Sequence, residues 1–327
     1  PGEAGTAADP PTVIINEVHV QSPLSAEPDF VELRNLGQAA VDLSGWTLRD
    51  GDGNKFEFPA NTALGQAGLL GIWCGDGGGE GLHADFGLGQ AGDSVALFDA
   101  DDRRIDAVTF GAMGGSIART ANGWTTAKPT FGQPNQPVQP AKLTKLVINE
   151  WLADPEEGGR DWLELYNPDA NAPALITGLH IRVGQQVGGL HAIATIPPRG
   201  HQRIWLDTRS GPGHVDLSLP TDSATLTLIT PEGVEFATMK YGKQRTGVSE
   251  GRRPDGSSRT VKFTRGATPG APNIVPSYSG PRFNEVLASN RGGLSDWVEL
   301  YNDTGATVSL DGASLSRRAD GAGDWIF

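Results

Sequence analysis

The chain of 327 residues carries 26 Lys and Arg against 39 Asp and Glu, a net charge of −13 that excludes generic binding to nucleic-acid phosphates. Its 45 Gly and 23 Pro oppose long helices, and a single Cys excludes an internal disulfide or a thiolate zinc centre. With 37% hydrophobic residues there is material for ordinary cores, but the longest apolar stretch, around residues 67–74, falls far short of the ~20 residues that span a bilayer.

Residues 1–12, small and Pro-bearing, are expected to form a linker at the start of an exported chain or of its ordered part. From residue 13 three blocks recur in order. Ile15-Asn16-Glu17 returns as Ile148-Asn149-Glu150 and as Phe283-Asn284-Glu285, at offsets of 133 and 135. Asp29-Phe-Val-Glu-Leu-Arg-Asn35 returns as Asp161-Trp-Leu-Glu-Leu-Tyr-Asn167 and as Asp296-Trp-Val-Glu-Leu-Tyr-Asn302. A turn glycine then precedes an alternating stretch at Gly45, Gly178 and Gly312, and the first two copies close on Gly132-Gln-Pro-Asn135 and Gly270-Ala-Pro-Asn273. Such self-similarity marks repeated domains.

Within the blocks, Val31 and Leu33 alternate with Glu32 and Arg34, as do Leu163 and Leu165 with Glu164 and Tyr166. A period of two is the signature of a half-buried strand, and many short strands between Gly and Asn turns point to antiparallel sandwiches. The expected fold is all-β: tandem immunoglobulin-like antiparallel β-sandwiches, two complete and a third partial. The expected divisions are a first sandwich over 13–135, a linker over 136–145, a second sandwich over 146–273, a linker over 274–280, and a partial third domain over 281–327. The third copy stops mid-module, so either further sequence or a partner is expected to cover its open half.

These blocks resemble the lamin tail domain family. Its opening Ile-x-Glu strand stands here as Ile15-Asn16-Glu17, and its Asp-Trp-Val-Glu-Leu-Tyr-Asn block as Asp161 to Asn167. Asp42-Leu-Ser-Gly-Trp-Thr-Leu48, Gly92 to Asp99 and Pro269-Gly-Ala-Pro-Asn273 supply the remaining features. Copy two departs at Leu175-Ile-Thr-Gly178 and at Thr221. The resemblance implies an immunoglobulin-like interaction module without a shared catalytic site, in bacterial members often set in series on exported or surface proteins.

Candidate chemistry is sparse. Gly92-Asp93-Ser94-Val95 looks like a nucleophilic-serine motif, but its counterpart Thr221-Asp222-Ser223-Ala224 favours a repeated turn. Asp50-Gly-Asp52-Gly-Asn54 has the 1-3-5 oxygen spacing of a calcium loop, yet Lys55 replaces its glycine and Asn61 its bidentate Glu, so a hairpin turn is expected. The histidines 19, 83, 180, 191, 201 and 214 show no ligand spacing and are expected at the surface, with no metal and no cofactor. Glu17, Glu150 and Glu285 recur, as do Glu32, Glu164 and Glu299; repetition in every copy suits bonds to backbone donors at a sheet edge better than catalysis. Cys74, matched by Leu206, is expected to fill core space.

Charge polarity is the best pointer to a contact surface. Residues 1–140 sum to −11 and residues 240–280 to +6. The basic set Lys240, Lys243, Arg245, Arg252, Arg253, Arg259, Lys262 and Arg265 is expected to meet an acidic protein or an anionic surface. The reading that follows is non-catalytic: a scaffold of an exported bacterial protein, extracytoplasmic and membrane-peripheral, docking onto a larger membrane or envelope complex, with no nucleic acid and no transmembrane segment. Accessory modules of a longer secreted enzyme or adhesin form the alternative, and a glycan- or calcium-binding module a third.

Overall fold

The structure is a computed structural model that describes residues 12–21, 27–264, 266–274, 280–288, 295–310, 313–315 and 325–327. The chain forms two compact units, Pro1–Ile274 and Val275–Phe327. The described residues are strands and turns apart from one 3-10 turn, Leu143–Lys145.

The first unit holds two β-sandwiches, each with its own core. In the first, a seven-stranded sheet runs in the order Gln136–Pro137, Gly123–Lys128, Ser116–Thr120, Val13–His19, Phe30–Asn35, Leu69–Cys74, Leu82–Ala84. It faces a four-stranded sheet ordered Arg104–Gly111, Gly92–Phe98, Thr47–Asp50, Lys55–Glu57. Alternation puts Ile15, Val31, Leu33 and Ile72 from one sheet against Leu48, Val95, Leu97 and Val108 from the other. The second sandwich repeats the plan. Its six-stranded sheet is ordered His214–Val215, His201–Leu206, Asp161–Tyr166, Val147–Leu152, Ser249–Arg252, Thr260–Phe263. Its four-stranded sheet runs Gln186–Gly189, His180–Val183, Ala224–Ile229, Glu235–Tyr241. Pairing is antiparallel except at one edge of each larger sheet, where Leu82–Ala84 and His214–Val215 add in parallel.

The recurrent residues explain the recurrent register. Each opening strand carries a bulge at its Asn, between Ile15 and Glu17 and again between Ile148 and Glu150. A bulge sets two residues against one, turning Asn and the following Glu toward the same interior. The Asp that opens the second strand ties down a distant loop: Leu88 N donates to Asp29 Oδ2 at 2.8 Å and Leu219 N to Asp161 Oδ2 at 2.6 Å. The Asn that closes it is fully spent on backbone. Asn35 Nδ2 donates to the carbonyls of Ala39, Leu64 and Gly65, and Asn167 Nδ2 to those of Ala172, Ile196 and Pro197.

Segment 136–145 is built into structure on both sides. Gln136–Pro137 pairs with Gly123–Lys128, Val138 N donates to Thr126 O, and Ala141 N donates to Pro173 O of the second sandwich. Ala141 is itself part of the second core.

The two sandwiches also join directly. Arg104–Gly111 is an edge strand, and its open edge is continued by residues 193–195 of the second sandwich. Gly111 N donates to Ile193 O at 2.8 Å, Ile193 N to Thr109 O at 3.2 Å, and Thr195 N to Ala112 O at 3.1 Å. Phe110 and Ile193 form a parallel bridge, and Ile193 packs on the first sandwich's core. Covering an edge in this way removes unpaired donors and acceptors from solvent.

In the second unit, Arg282–Leu287 pairs with Trp297–Tyr301 with the same bulge, between Phe283 and Glu285. Asn284 bonds Glu299 as its counterparts do. Phe283, Val286, Trp297, Val298 and Tyr301 are exposed on this hairpin. Ser314–Leu315 pairs with Trp325–Ile326.

Candidate functional site

The repeated carboxyls meet in one buried node per sandwich. In the first, Asn16 Nδ2 donates to Glu32 Oε1 at 2.7 Å and to Asn135 Oδ1 at 2.8 Å, while Gly132 N donates to Glu32 Oε2 at 2.7 Å. Thr130 bonds Glu17 through both its amide and its hydroxyl. In the second, Asn149 Nδ2 donates to Glu164 Oε1 at 2.9 Å, Gly270 N to Glu164 Oε2 at 2.7 Å, and Thr268 N to Glu150 Oε2 at 3.2 Å. Two partners differ: Asp255 takes the second bond from Asn149 Nδ2 at 3.0 Å, and Gly256 N donates to Asn149 Oδ1 where Asn135 Nδ2 donates to Asn16 Oδ1.

Opening strand, second strand and closing turn are thus latched by the residues that recur in the sequence. The expectation that these carboxyls bind backbone donors at a sheet edge is corrected in one respect. Both opening strands lie between two neighbours, and all four glutamates are fully buried. Glu17 faces Glu32 across the ladder, as Glu150 faces Glu164. Burial lifts all four above the usual carboxylate range, Glu32 to about 7 and Glu164 to about 8, against the pull of their hydrogen bonds. Sealed from solvent, the pairs serve as latches.

The histidines divide. His83 and His191 are exposed, but His19 is fully buried, tilted against the Phe30 ring and bonded to Ser116, and the His201 side chain is almost sealed, stacked on Tyr166. These two are not surface imidazoles, and desolvation lowers both of their pKa values. Asp50 to Asn54 form a hairpin turn in which Asn54 N donates to Asp50 Oδ1 at 2.7 Å. Asp93 holds the amides of Gly51, Gly89 and its neighbour Ser94. Cys74 is buried, which pushes its thiol pKa far up.

The basic set does not form one cluster. Lys240 lies on the edge strand of the four-stranded sheet and Lys262 on the edge strand of the six-stranded sheet. Lys243, Arg245 and Arg259 are exposed in the connections, and Arg265 lies outside the described residues. Arg252 and Arg253 are spent internally. Arg252 Nε donates to Ile148 O at 2.7 Å and its Nη1 to Ser257 O, while Arg253 Nη1 donates to Asn273 O. Arg119 repeats the first of these in the other sandwich, donating from Nε to Ile15 O at 3.0 Å. Arg252→Ala is therefore expected to cost about 1–3 kcal/mol in urea unfolding, and Lys243→Ala less than about 0.5 kcal/mol. Equal, small effects would return Arg252 to the surface set.

A feature the charge count misses lies between the two sandwiches. Two adjoining grooves, of about 590 and 270 Å³, share Ala112, His201, Gln202 and Gly270. Arg203 projects from the strand His201–Leu206 into the smaller one, its guanidinium 3.9 Å from the ring centre of Trp205. Comparing the repeats would have flagged it, since Ile72-Trp73 aligns with Ile204-Trp205 and so sets Arg203 against Gly71. In the first sandwich Phe131 covers Gly71 and stacks on Trp73. In the second, Pro269 replaces Phe131 and leaves the space open.

Sheet order, bulge and latch together describe an immunoglobulin-like sandwich closed by a Pro-Asn turn. Residues 6–112 match the family model described as Lamin Tail Domain. By that match the first sandwich is similar to a lamin tail domain. No curated protein matches the chain. The lamin tail domain family is an immunoglobulin-like, non-enzymatic one, and its fold suits protein interaction. The second sandwich reproduces the lamin tail domain's strand order and its latch, with Asp255 and Pro269 as local departures. Among the described residues no helix is long and apolar enough to cross a membrane.

Proposed function

We propose that the chain is a non-catalytic structural protein in which tandem lamin-tail-like modules brace a larger membrane or envelope complex. It acts there as an extracytoplasmic, membrane-peripheral subunit of a bacterial protein. The modules on this reading are 13–135, 146–273 and a partial third over 281–327, with 1–12, 136–145 and 274–280 as connections. One observation carries it: residues 193–195 extend the edge of the first sandwich, and Ile193 enters that sandwich's core packing. Modules that only display a neighbouring enzyme have no need of a shared sheet edge, whereas a brace must transmit orientation from one end to the other. The exposed Lys240, Lys243, Arg245, Arg259 and Lys262 support docking on an acidic partner, because complementary charge steers and orients encounter.

Cross-linking mass spectrometry on the gently solubilised native envelope fraction tests this. Links from Lys240, Lys243 or Lys262 to one stoichiometric partner are expected. Links confined to the chain itself, in material that sediments alone, would sink the proposal.

A further inference from the structure

The cleft between the two sandwiches is the strongest unassigned feature of the molecule. Among the described residues no Asp or Glu lines either of its two grooves, in a chain whose net charge is −13. Arg203 is half-buried at one end and Arg199 exposed at the other. Neither guanidinium has a carboxylate oxygen within 4 Å among the described residues, while seven other Lys and Arg side chains do. Glu164, the cross-strand neighbour of Arg203, is turned onto Gly270 N and Asn149. The nearby carboxylates are engaged elsewhere: Asp255 accepts from Asn149 Nδ2 and Asn273 N, Asp207 pairs with His214 Nδ1 at 2.7 Å, and Asp169, which attracts Arg199 only at longer range, accepts from Asn171 N and Ala172 N. Burial draws the Arg203 pKa downward, as expected for a cation that has lost water without gaining a counter-ion.

Arg199 is placed by a turn that both sandwiches share. Its φ of 56° matches that of Ala67, 53°, at the same place in the first sandwich, where Gly68 N donates to Gly65 O as Gly200 N does to Pro197 O. The turn thus sets a guanidinium at the cleft where the first sandwich carries only a methyl group. Between the two arginines the walls are Met113, Pro197, Pro198 and Pro272, with Gln202 alongside. Pro presents apolar surface without a backbone donor, and Met a flexible apolar side chain that fits an irregular ligand. Both grooves are open along one side, which suits a chain segment lying through them better than a small molecule enclosed on all sides.

We infer that the inter-sandwich cleft binds an acidic, extended segment of a partner protein, with Arg203 taking a carboxylate through its guanidinium fork and Arg199 holding a second. The inference rests on the proposed docking role and names the chemistry of the partner. A planar, always-charged fork on an aromatic ring is the side chain suited to a carboxylate in a half-desolvated site. The prolines and Met113 then cover the apolar part of the segment between its two charges.

The test is selection from a random-peptide display library on the full 327-residue chain, followed by affinity measurement against Arg199→Gln/Arg203→Gln and against Lys243→Gln/Arg245→Gln. Both double variants are first shown to melt as the parent does. Selected peptides are expected to be enriched in Asp or Glu. They should bind the cleft variant at least about tenfold more weakly and the Lys243→Gln/Arg245→Gln variant unchanged, with affinity falling as salt rises. Arg203→Lys should recover part of the loss, because charge returns without the fork. An empty selection, peptides without acidic enrichment, or equal binding to the cleft variant overturns the inference. Envelope cross-linking is run on the same variants. A partner retained by the cleft variant leaves the bracing role standing and removes only the cleft, whereas no partner for any form removes both.

Discussion

The second sandwich should lose stability as pH rises from about 5.5 to 9, and Glu164→Gln should abolish most of that loss. Glu164 titrates near 4.5 in an unfolded chain and at about 8 in the fold, where burial disfavours its charge. Between those values the native state holds a proton that the unfolded state has released. Stability therefore declines as pH climbs through the window and levels off above it. Glu32 adds a smaller decline in the first sandwich, ending at about 7. His19 and His201 act oppositely: their lowered pKa values favour the fold above about 6.5 and weaken it as pH falls. The thermal midpoint should thus pass through a maximum in mild acid.

For Glu164 the loss amounts to roughly 3–5 kcal/mol between pH 5.5 and 9, about 10 °C in melting temperature for a sandwich of this size. The variant isolates it. Gln keeps one acceptor, but Asn149 Nδ2 and Gly270 N both donate toward this carboxyl, so one donor is left facing another. A deficit of about 1–3 kcal/mol is expected at pH 5.5. Because Gln does not ionise, the deficit should close, and then reverse, by pH 9. Denaturant titrations at the two pH values check this; a constant gap would mean that Glu164 keeps an ordinary carboxylate pKa in the fold.

The fold was legible in the sequence because its defining contacts are local repeats of residue type. Period-two alternation located the strands, and Asn16, Glu32 and Asn135 recur with their counterparts because the latch needs a donor, an acceptor and a closing turn at fixed register. Their burial was not legible. A glutamate reads as a surface residue until its backbone donors, 100 or more residues away at Gly132 and Gly270, are brought onto it. The basic set misled for a related reason: Arg252 and Arg253 sit amid exposed lysines in sequence, yet their guanidiniums turn inward to carbonyls of Ile148, Ser257 and Asn273. The cleft was hidden because it is a property of two modules at once. Only the exchange of Gly71 and Phe131 for Arg203 and Pro269 marks it in the chain, and that is a difference between repeats whose other landmarks are alike.

Gly114→Leu should release the two sandwiches from one another without unfolding either. A Cβ at Gly114 would stand 2.8 Å from Pro197 Cβ, 3.0 Å from its Cγ and 3.1 Å from its Cδ, closer than carbon atoms approach. Gly111 is nearly as tight, with Ala194 Cβ at 3.1 Å, and Gly92 would meet Pro212 Cβ at 2.6 Å. Three glycines of one sandwich thus nest against Ala194, Pro197 and Pro212 of the other. Proline rings cannot swing aside as flexible chains do, so relief must come from separation. Separation would break the amide bonds from Gly111, Ile193 and Thr195, and the one from Gly114 N to Thr195 Oγ1 at 3.2 Å. At about 1 kcal/mol each, less what water restores, the junction loses about 2–3 kcal/mol. Amide exchange at Gly111, Ile193 and Thr195 should then quicken about 30- to 100-fold, while Leu33 and Leu165, deep in the two sheets, keep their protection. Loss of protection at all five would show that the junction is needed for each sandwich to fold. No change at any would mean that the edge pairing is not what fixes the modules, and the bracing role would lose its physical basis.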